Sequence, residues 1–198
     1  MLKLIKNPKA KALIFDLDGT LADTMPNHYK AWSEVANFNG FHFPEDLFYK
    51  LAGIPTFKIV DMLNEMFDKK MDPEETHEQK ENAFLKLIHT IQPIQPVLNL
   101  AINYFGKIPM SVGTGGVPDV AALTLQAINA ESYFDIIVTA RDVKNFKPAP
   151  DTFLRCAELM NVNPEECEVF EDSPLGLEAA IKAGMIATDI RPYYLNSY

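Results

Sequence analysis

The chain has 198 residues, enough to bury a substantial core as one large domain or as a core with a modest insertion. With 47% hydrophobic and 23% charged residues it has the composition of a packed globular protein, which excludes intrinsic disorder. Its 18 Lys and Arg against 27 Asp and Glu give a net charge of -9, which argues against a nucleic-acid backbone or an anionic membrane surface as partner.

Residues 1–9 are mildly basic, but they hold no apolar run long enough for a secretory signal, and no later stretch approaches a membrane span. Two cysteines, Cys156 in an expected helix and Cys167 just before an expected strand, do not make a disulfide framework. The expectation is a protein of the reducing cytoplasm, a monomer or weak homodimer. Ala12-Leu13-Ile14-Phe15 is a short apolar run ahead of acidic and glycine residues, and predicts a buried strand ending in a loop. Residues 24–92 read instead as successive helices opened by Pro26, Pro44, Pro55 and Pro73, with no strand between them. This predicts a helical insertion over 23–92, set as a lid above a sheet edge, and a core formed by 1–22 and 93–198.

Beyond the insertion, apolar runs at 108–112, 136–138, 168–170 and 185–187 alternate with helical segments at 117–129, 151–160 and 175–183. Alternating strand and helix predicts an α/β fold, a parallel sheet with helices on both faces. Such sheets bind ligands at the carboxyl ends of their strands.

Four elements carry chemistry. In Asp16-Leu17-Asp18-Gly19 two acids spaced i, i+2 leave a strand on the same side, and their repulsion favours a bound cation or a shared proton; alone, the tetrad also suits a turn or a calcium loop. Ser111-Val112-Gly113-Thr114-Gly115-Gly116 joins a strand to a helix, so free N–H groups, glycines and the Thr114 hydroxyl suit an anion; a plain turn is the alternative. Lys147 precedes Pro148 and Pro150, whose rings restrict the backbone; it suits phosphate plus carboxylate, or simply solvent. Glu171-Asp172-Ser173-Pro174 ends an apolar run with two acids, which suit magnesium or the cap of a helix.

Each element ends an expected strand, and their order, Asp-x-Asp, Thr, Lys, Glu-Asp, resembles the haloacid dehalogenase superfamily throughout the chain. The resemblance implies a Rossmannoid three-layer core with a four-helix cap inserted after the first motif. It implies a Mg2+-dependent phosphatase in which Asp16 is the nucleophile and a metal ligand. Asp18 is then the acid and base, ligating through its carbonyl, and Asp172 completes the metal site. Thr114, Gly115 and Lys147 bind phosphate, Lys147 also neutralises Asp16, and Glu171 ligates directly or through water. The partner implied is a small phosphorylated metabolite.

Within the superfamily, residues 23–32 are similar to the β-phosphoglucomutases, with His28 at their cap histidine and Lys80 near their cap lysine. Those enzymes carry an arginine in the cap loop, where Leu51-Ala52-Gly53-Ile54-Pro55-Thr56-Phe57 offers Thr56, and a hydroxyl does not replace a bidentate cation. The pattern, including Lys147-Pro148-Ala149-Pro150-Asp151, is closest to the bacterial fructose-1-phosphatase-like proteins. The expected activity is hydrolysis of a sugar phosphate; the alternatives are a β-phosphoglucomutase and an inactive phosphate-binding module.

Overall fold

The computed structural model describes residues 3–51, 54 and 56–194; Pro55, expected to open a helix, and the neighbouring Ala52 and Gly53 lie outside the described residues. In chain order the elements begin with β1 (Ala12–Phe15), α1 (Met25–Phe38), α2 (Glu45–Lys50), α3 (Thr56–Phe67), α4 (Pro73–Leu87) and α5 (Gln95–Tyr104). They continue with β2 (Met110–Gly113), α6 (Pro118–Ala127), β3 (Ile137–Val138), α7 (Asp151–Met160), β4 (Cys167–Glu171), α8 (Pro174–Lys182), β5 (Ile186–Asp189) and α9 (Arg191–Tyr194). The chain forms two compact units, Met1–Asp23 with Gln92–Tyr198, and Thr24–Ile91.

The first unit is built on a parallel sheet of order β3-β2-β1-β4-β5. Its central strand, β1, is buried along its whole length, which is why it reads as a continuous apolar run rather than an alternating one. Ala12 and Ile14 face α7 and α8, joining Val169, Phe153, Cys156, Ala157, Ala179 and Ala180 in one core cluster. By the period of two, Leu13 and Phe15 take the opposite face, where the Phe15 ring stacks on Phe170 at 5.1 Å and meets Phe134 edge-on at 5.6 Å.

Boundaries depart slightly from the sequence reading. Strand β2 starts at Met110 rather than 108, because Pro109 has no N–H for the ladder, though its carbonyl still accepts from Leu13 N–H at 3.1 Å. Cys167 is the first residue of β4 rather than its neighbour, paired with Ala12. Both cysteines are free and buried, and burial raises their thiols to about 12 for Cys156 and about 11 for Cys167, so neither is a reactive thiolate.

The second unit contains α1 to α4; Trp32, Phe43, Phe48, Val60 and Leu63 cluster as a core in which Trp32 meets Phe43 edge-on at 5.9 Å, and α4 packs against α1 and α3. Pro26 and Pro73 stand in the first turns of α1 and α4, where a missing N–H costs nothing, whereas Pro44 caps α2 from outside. Asp72 caps α4 by accepting from the N–H groups of Glu74 and Glu75 at 2.9 Å. Among the described residues, no helix is long and apolar enough to cross a membrane.

Candidate active site

Sheet order sets the place of the site. The chain leaves β1 toward β2 on one side and returns to β4 on the other, so the topological switch lies between the carboxyl ends of β1 and β4. Register aligns Phe15 with Val112 and with Phe170, and Asp16 N–H donates to Phe170 O at 3.0 Å, which extends the pairing one residue past β1. Asp16 therefore emerges beside Glu171 and Asp172. Leu17 is buried, and the loop closes on itself as Gly19 N–H donates to Ala22 O at 2.8 Å and Ala22 N–H to Leu17 O at 3.0 Å. Gly19 is needed twice over: its φ is +85°, and a Cβ there would lie 2.8 Å from Asp172 Cγ.

Lys147 ties the site together. Its ammonium donates to Asp16 Oδ1 at 2.6 Å, Glu171 Oε1 at 2.9 Å and Gly113 O at 3.2 Å, and it lies 4.6 Å from the centre of the Phe153 ring. Burial opposes its charge, but Asp16 and Glu171 outweigh burial and hold the lysine above its ordinary pKa. Asp16 is raised well above the usual carboxylate value, first by burial and then by Glu171, Asp172 and Asp18, with Lys147 pulling the other way. Asp172 is pushed up to about 7 by burial and by the Glu171 charge, against the Thr20 hydroxyl and Lys147.

Thr114 stands at the end of β2. Its hydroxyl accepts from Gly116 N–H at 2.9 Å and donates to Asp18 Oδ2 at 3.4 Å, so it faces the second acid of the Asp-x-Asp pair. Gly115 next to it is exposed, and a Cβ there would meet nothing within 4 Å, which leaves its backbone open to a ligand. Thus Asp16, Asp18, Thr114, Gly115, Lys147, Glu171 and Asp172 all belong to the first unit, gathered at the ends of β1, β2 and β4 and on the loop before α7. His28, Thr56 and Lys80 belong to the second unit, on α1, α3 and α4. There His28 stacks on Phe84 at 4.1 Å, and the Lys80 ammonium lies 5.4 Å from the same ring while pairing with Glu81 at 2.9 Å. Thr56 is the half-buried first residue of α3.

Sequence reasoning missed three participants. Thr20 is fully buried and donates to Asp172 Oδ1 at 3.0 Å. Ser173 N–H donates to Glu171 Oε2 at 2.6 Å, and the Gly113 carbonyl accepts from Lys147. Thr20 carried one signal, a small hydroxyl two residues after Asp18 in a chemically loaded loop.

A ligand oxygen from each of Asp16, Glu171 and Asp172 lies within 4.8 Å of the others. The donors are all hard carboxylate oxygens, and two of the three acids are held at raised pKa by burial and mutual repulsion. That set fits a small divalent cation such as magnesium. A buried carboxylate paired with a lysine, beside a second acid and the exposed Gly115 backbone, suits transfer of an anionic group through a nucleophilic acid.

Comparison with known proteins agrees. The family described as haloacid dehalogenase-like hydrolase matches residues 13–189. The fructose-1-phosphate phosphatase YqaB of Escherichia coli (strain K12) is 41% identical over 90% of this chain and 95% of its own. A phosphorylated carbohydrates phosphatase of Thermotoga maritima is 35% identical over 88% of this chain and 82% of its own. Among solved structures, a β-phosphoglucomutase from Clostridium difficile superposes with a TM-score of 0.80 at 29% identity, covering 91% of this chain and 84% of that one. The chain belongs to the haloacid dehalogenase-like hydrolases. It is an enzyme of the phosphoric monoester hydrolase class.

Proposed function

We propose that the chain is a magnesium-dependent phosphatase of small sugar phosphates, preferring a ketose 1-phosphate of the fructose 1-phosphate kind, and acting through an aspartyl phosphate on Asp16. The observation that carries this reading is the Asp16–Lys147 contact of 2.6 Å at the switch between β1 and β4. The likeness to the E. coli fructose-1-phosphate phosphatase supports the substrate class.

In this reading Asp16, Asp172 and the Asp18 carbonyl hold magnesium, with Glu171 beside them, and the bound ion supplies positive charge to the phosphoryl oxygens. Lys147 supplies a second positive charge and, against the burial that raises Asp16, favours the ionised form of its carboxylate. Thr114 and the amide of Gly115 orient the phosphoryl group, and Asp16 attacks phosphorus in line with the leaving oxygen. Asp18 gives its proton to that oxygen, then takes one from the water that attacks the aspartyl phosphate. Phosphate leaves and Asp16 is restored. His28, Thr56 and Lys80 are assigned to recognition of the sugar. The enzyme works in the cytoplasm on a free metabolite.

The test is turnover across a panel of hexose monophosphates with Mg2+, following both inorganic phosphate and isomeric sugar phosphate. Phosphate release without isomer, fastest for a ketose 1-phosphate, is expected. Conversion of β-glucose 1-phosphate into glucose 6-phosphate with little phosphate release would make the chain a mutase instead.

A further inference from the structure

Glu171 is seated against a glycine. Gly176 lies in α8, where its backbone is not in the left-handed region, so nothing in its own conformation calls for glycine. Alanine would ordinarily be preferred within a helix. Yet a Cβ at 176 would overlap the Glu171 carboxylate outright and lie 2.7 Å from its Cγ. The clash is with the far half of a side chain, which would normally swing away. Here it has no freedom to do so while keeping its partners: Glu171 is 1% exposed, Oε1 accepts from Lys147 at 2.9 Å, and Oε2 accepts from Ser173 N–H at 2.6 Å. The helix start is fixed as well, because Ser173 Oγ accepts from Gly176 N–H at 3.0 Å.

We infer that Gly176 is a positioning residue that acts through Glu171: the missing methyl leaves a seat for the Glu171 carboxylate, and the seated carboxylate holds the Lys147 ammonium on Asp16. The inference rests on the reading of Asp16 and Lys147 as parts of the phosphoryl-transfer site. A side chain at 176 displaces Glu171, releases Lys147 from one of its two anionic partners, and so loosens the cation that faces the nucleophile. Glu171 thereby serves the lysine in addition to standing beside the metal.

Four proteins test it: the wild type, Gly176→Ala, Glu171→Ala and the double variant. Each is measured for Mg2+-dependent turnover of an aryl phosphate, for its metal-free unfolding midpoint, and for the side-chain ammonium NMR signal of Lys147. Gly176→Ala is expected to lower turnover about 10- to 100-fold, as loss of an outer supporting contact does, and to lower the midpoint. In the Glu171→Ala background the same substitution is expected to leave turnover within about twofold, additivity failing for residues in contact, and to leave the midpoint unchanged or higher. The Lys147 signal shifts or broadens alike in both single variants. Equal losses from Gly176→Ala in both backgrounds, or a Lys147 signal that Gly176→Ala leaves untouched, would overturn the inference and make Gly176 an ordinary packing residue of α8. A wild type without phosphatase activity sinks the functional reading, and the midpoints and the Lys147 signal then still judge the coupling.

Discussion

The Thr20 hydroxyl donates to Asp172 Oδ1 at 3.0 Å across a sequence separation of 152 residues. It joins the loop after β1 to the loop after β4 and orients an acid that the proposed metal site requires. Thr20→Val keeps the shape and removes the donor. Asp172 then loses a bond that favours its ionised form, and its affinity for Mg2+ is expected to fall about 10- to 100-fold, the usual cost of an outer-shell partner. Isothermal titration with Mg2+ reads this directly, and an unchanged affinity contradicts it.

Among the described residues, Lys147 is the sole cation contacting both Asp16 and Glu171, which are themselves buried. Lys147→Met retains most of the volume and leaves two acids without their counter-charge. Turnover is expected to fall by about 10²- to 10³-fold or more, as when a transition-state donor is removed. Breaking a buried pair costs about 3–5 kcal/mol in stability. That loss is smaller near pH 5 than near pH 8, because Asp16, already raised by burial, escapes the penalty by taking up a proton. Denaturant unfolding without metal at the two pH values checks both statements.

Asp172 gives a pH signature. Burial and Glu171 raise it to about 7, above its value in an unfolded chain of about 4. The folded state thus holds this proton more tightly than the unfolded state does, so the stabilisation is fully present below about pH 4 and is lost as pH rises through about 7. Asp16 is shifted in the same direction. The metal-free midpoint is expected to fall between pH 5.5 and 8, and Asp172→Asn to flatten that fall. Mg2+ must displace the protons, so its affinity weakens below about pH 7. A metal-free midpoint that climbs over this interval would count against the assignment.

Much of this was readable in the residues, for definite reasons. β1 is buried on both faces, so Ala12–Phe15 appears as an unbroken apolar run, and the acids after it stand out because they follow such a run. The order Asp-x-Asp, Thr, Lys, Glu-Asp carried the family because each part falls at a strand end or a loop that parallel topology gathers on one edge. What escaped was pairwise and long-range. Nothing local marks Thr20 as the partner of Asp172. Two adjacent acids in a sequence do not reveal that Glu171 faces Lys147 and the Ser173 amide, and a glycine in α8 looks like a weakness of the helix until the Glu171 carboxylate is seen against it.

Phe84 is another residue that only the fold singles out. It is completely buried in the helical unit, with the His28 ring stacked on it and the Lys80 ammonium near its face. Phe84→Ala is expected to destabilise the protein by about 3–5 kcal/mol, the range for a large aromatic removed from a core. If His28 and Lys80 recognise the sugar, kcat/KM for hexose phosphates falls further than for an aryl phosphate. Equal losses on the two substrates would remove both residues from recognition.

The central claim is that Asp16 carries the phosphoryl group, and it is tested most directly with Asp18→Asn and an aryl phosphate whose leaving group needs no proton. Phosphorylation of Asp16 should then proceed while attack of water stalls for want of a base. Acid quenching should trap protein heavier by one phosphoryl group, with a burst of one equivalent of phenol, and peptide mapping should place the group on Asp16. Steady turnover without any trapped species in this variant, a phosphoryl group on another residue, or undiminished turnover by Asp16→Asn would contradict the account.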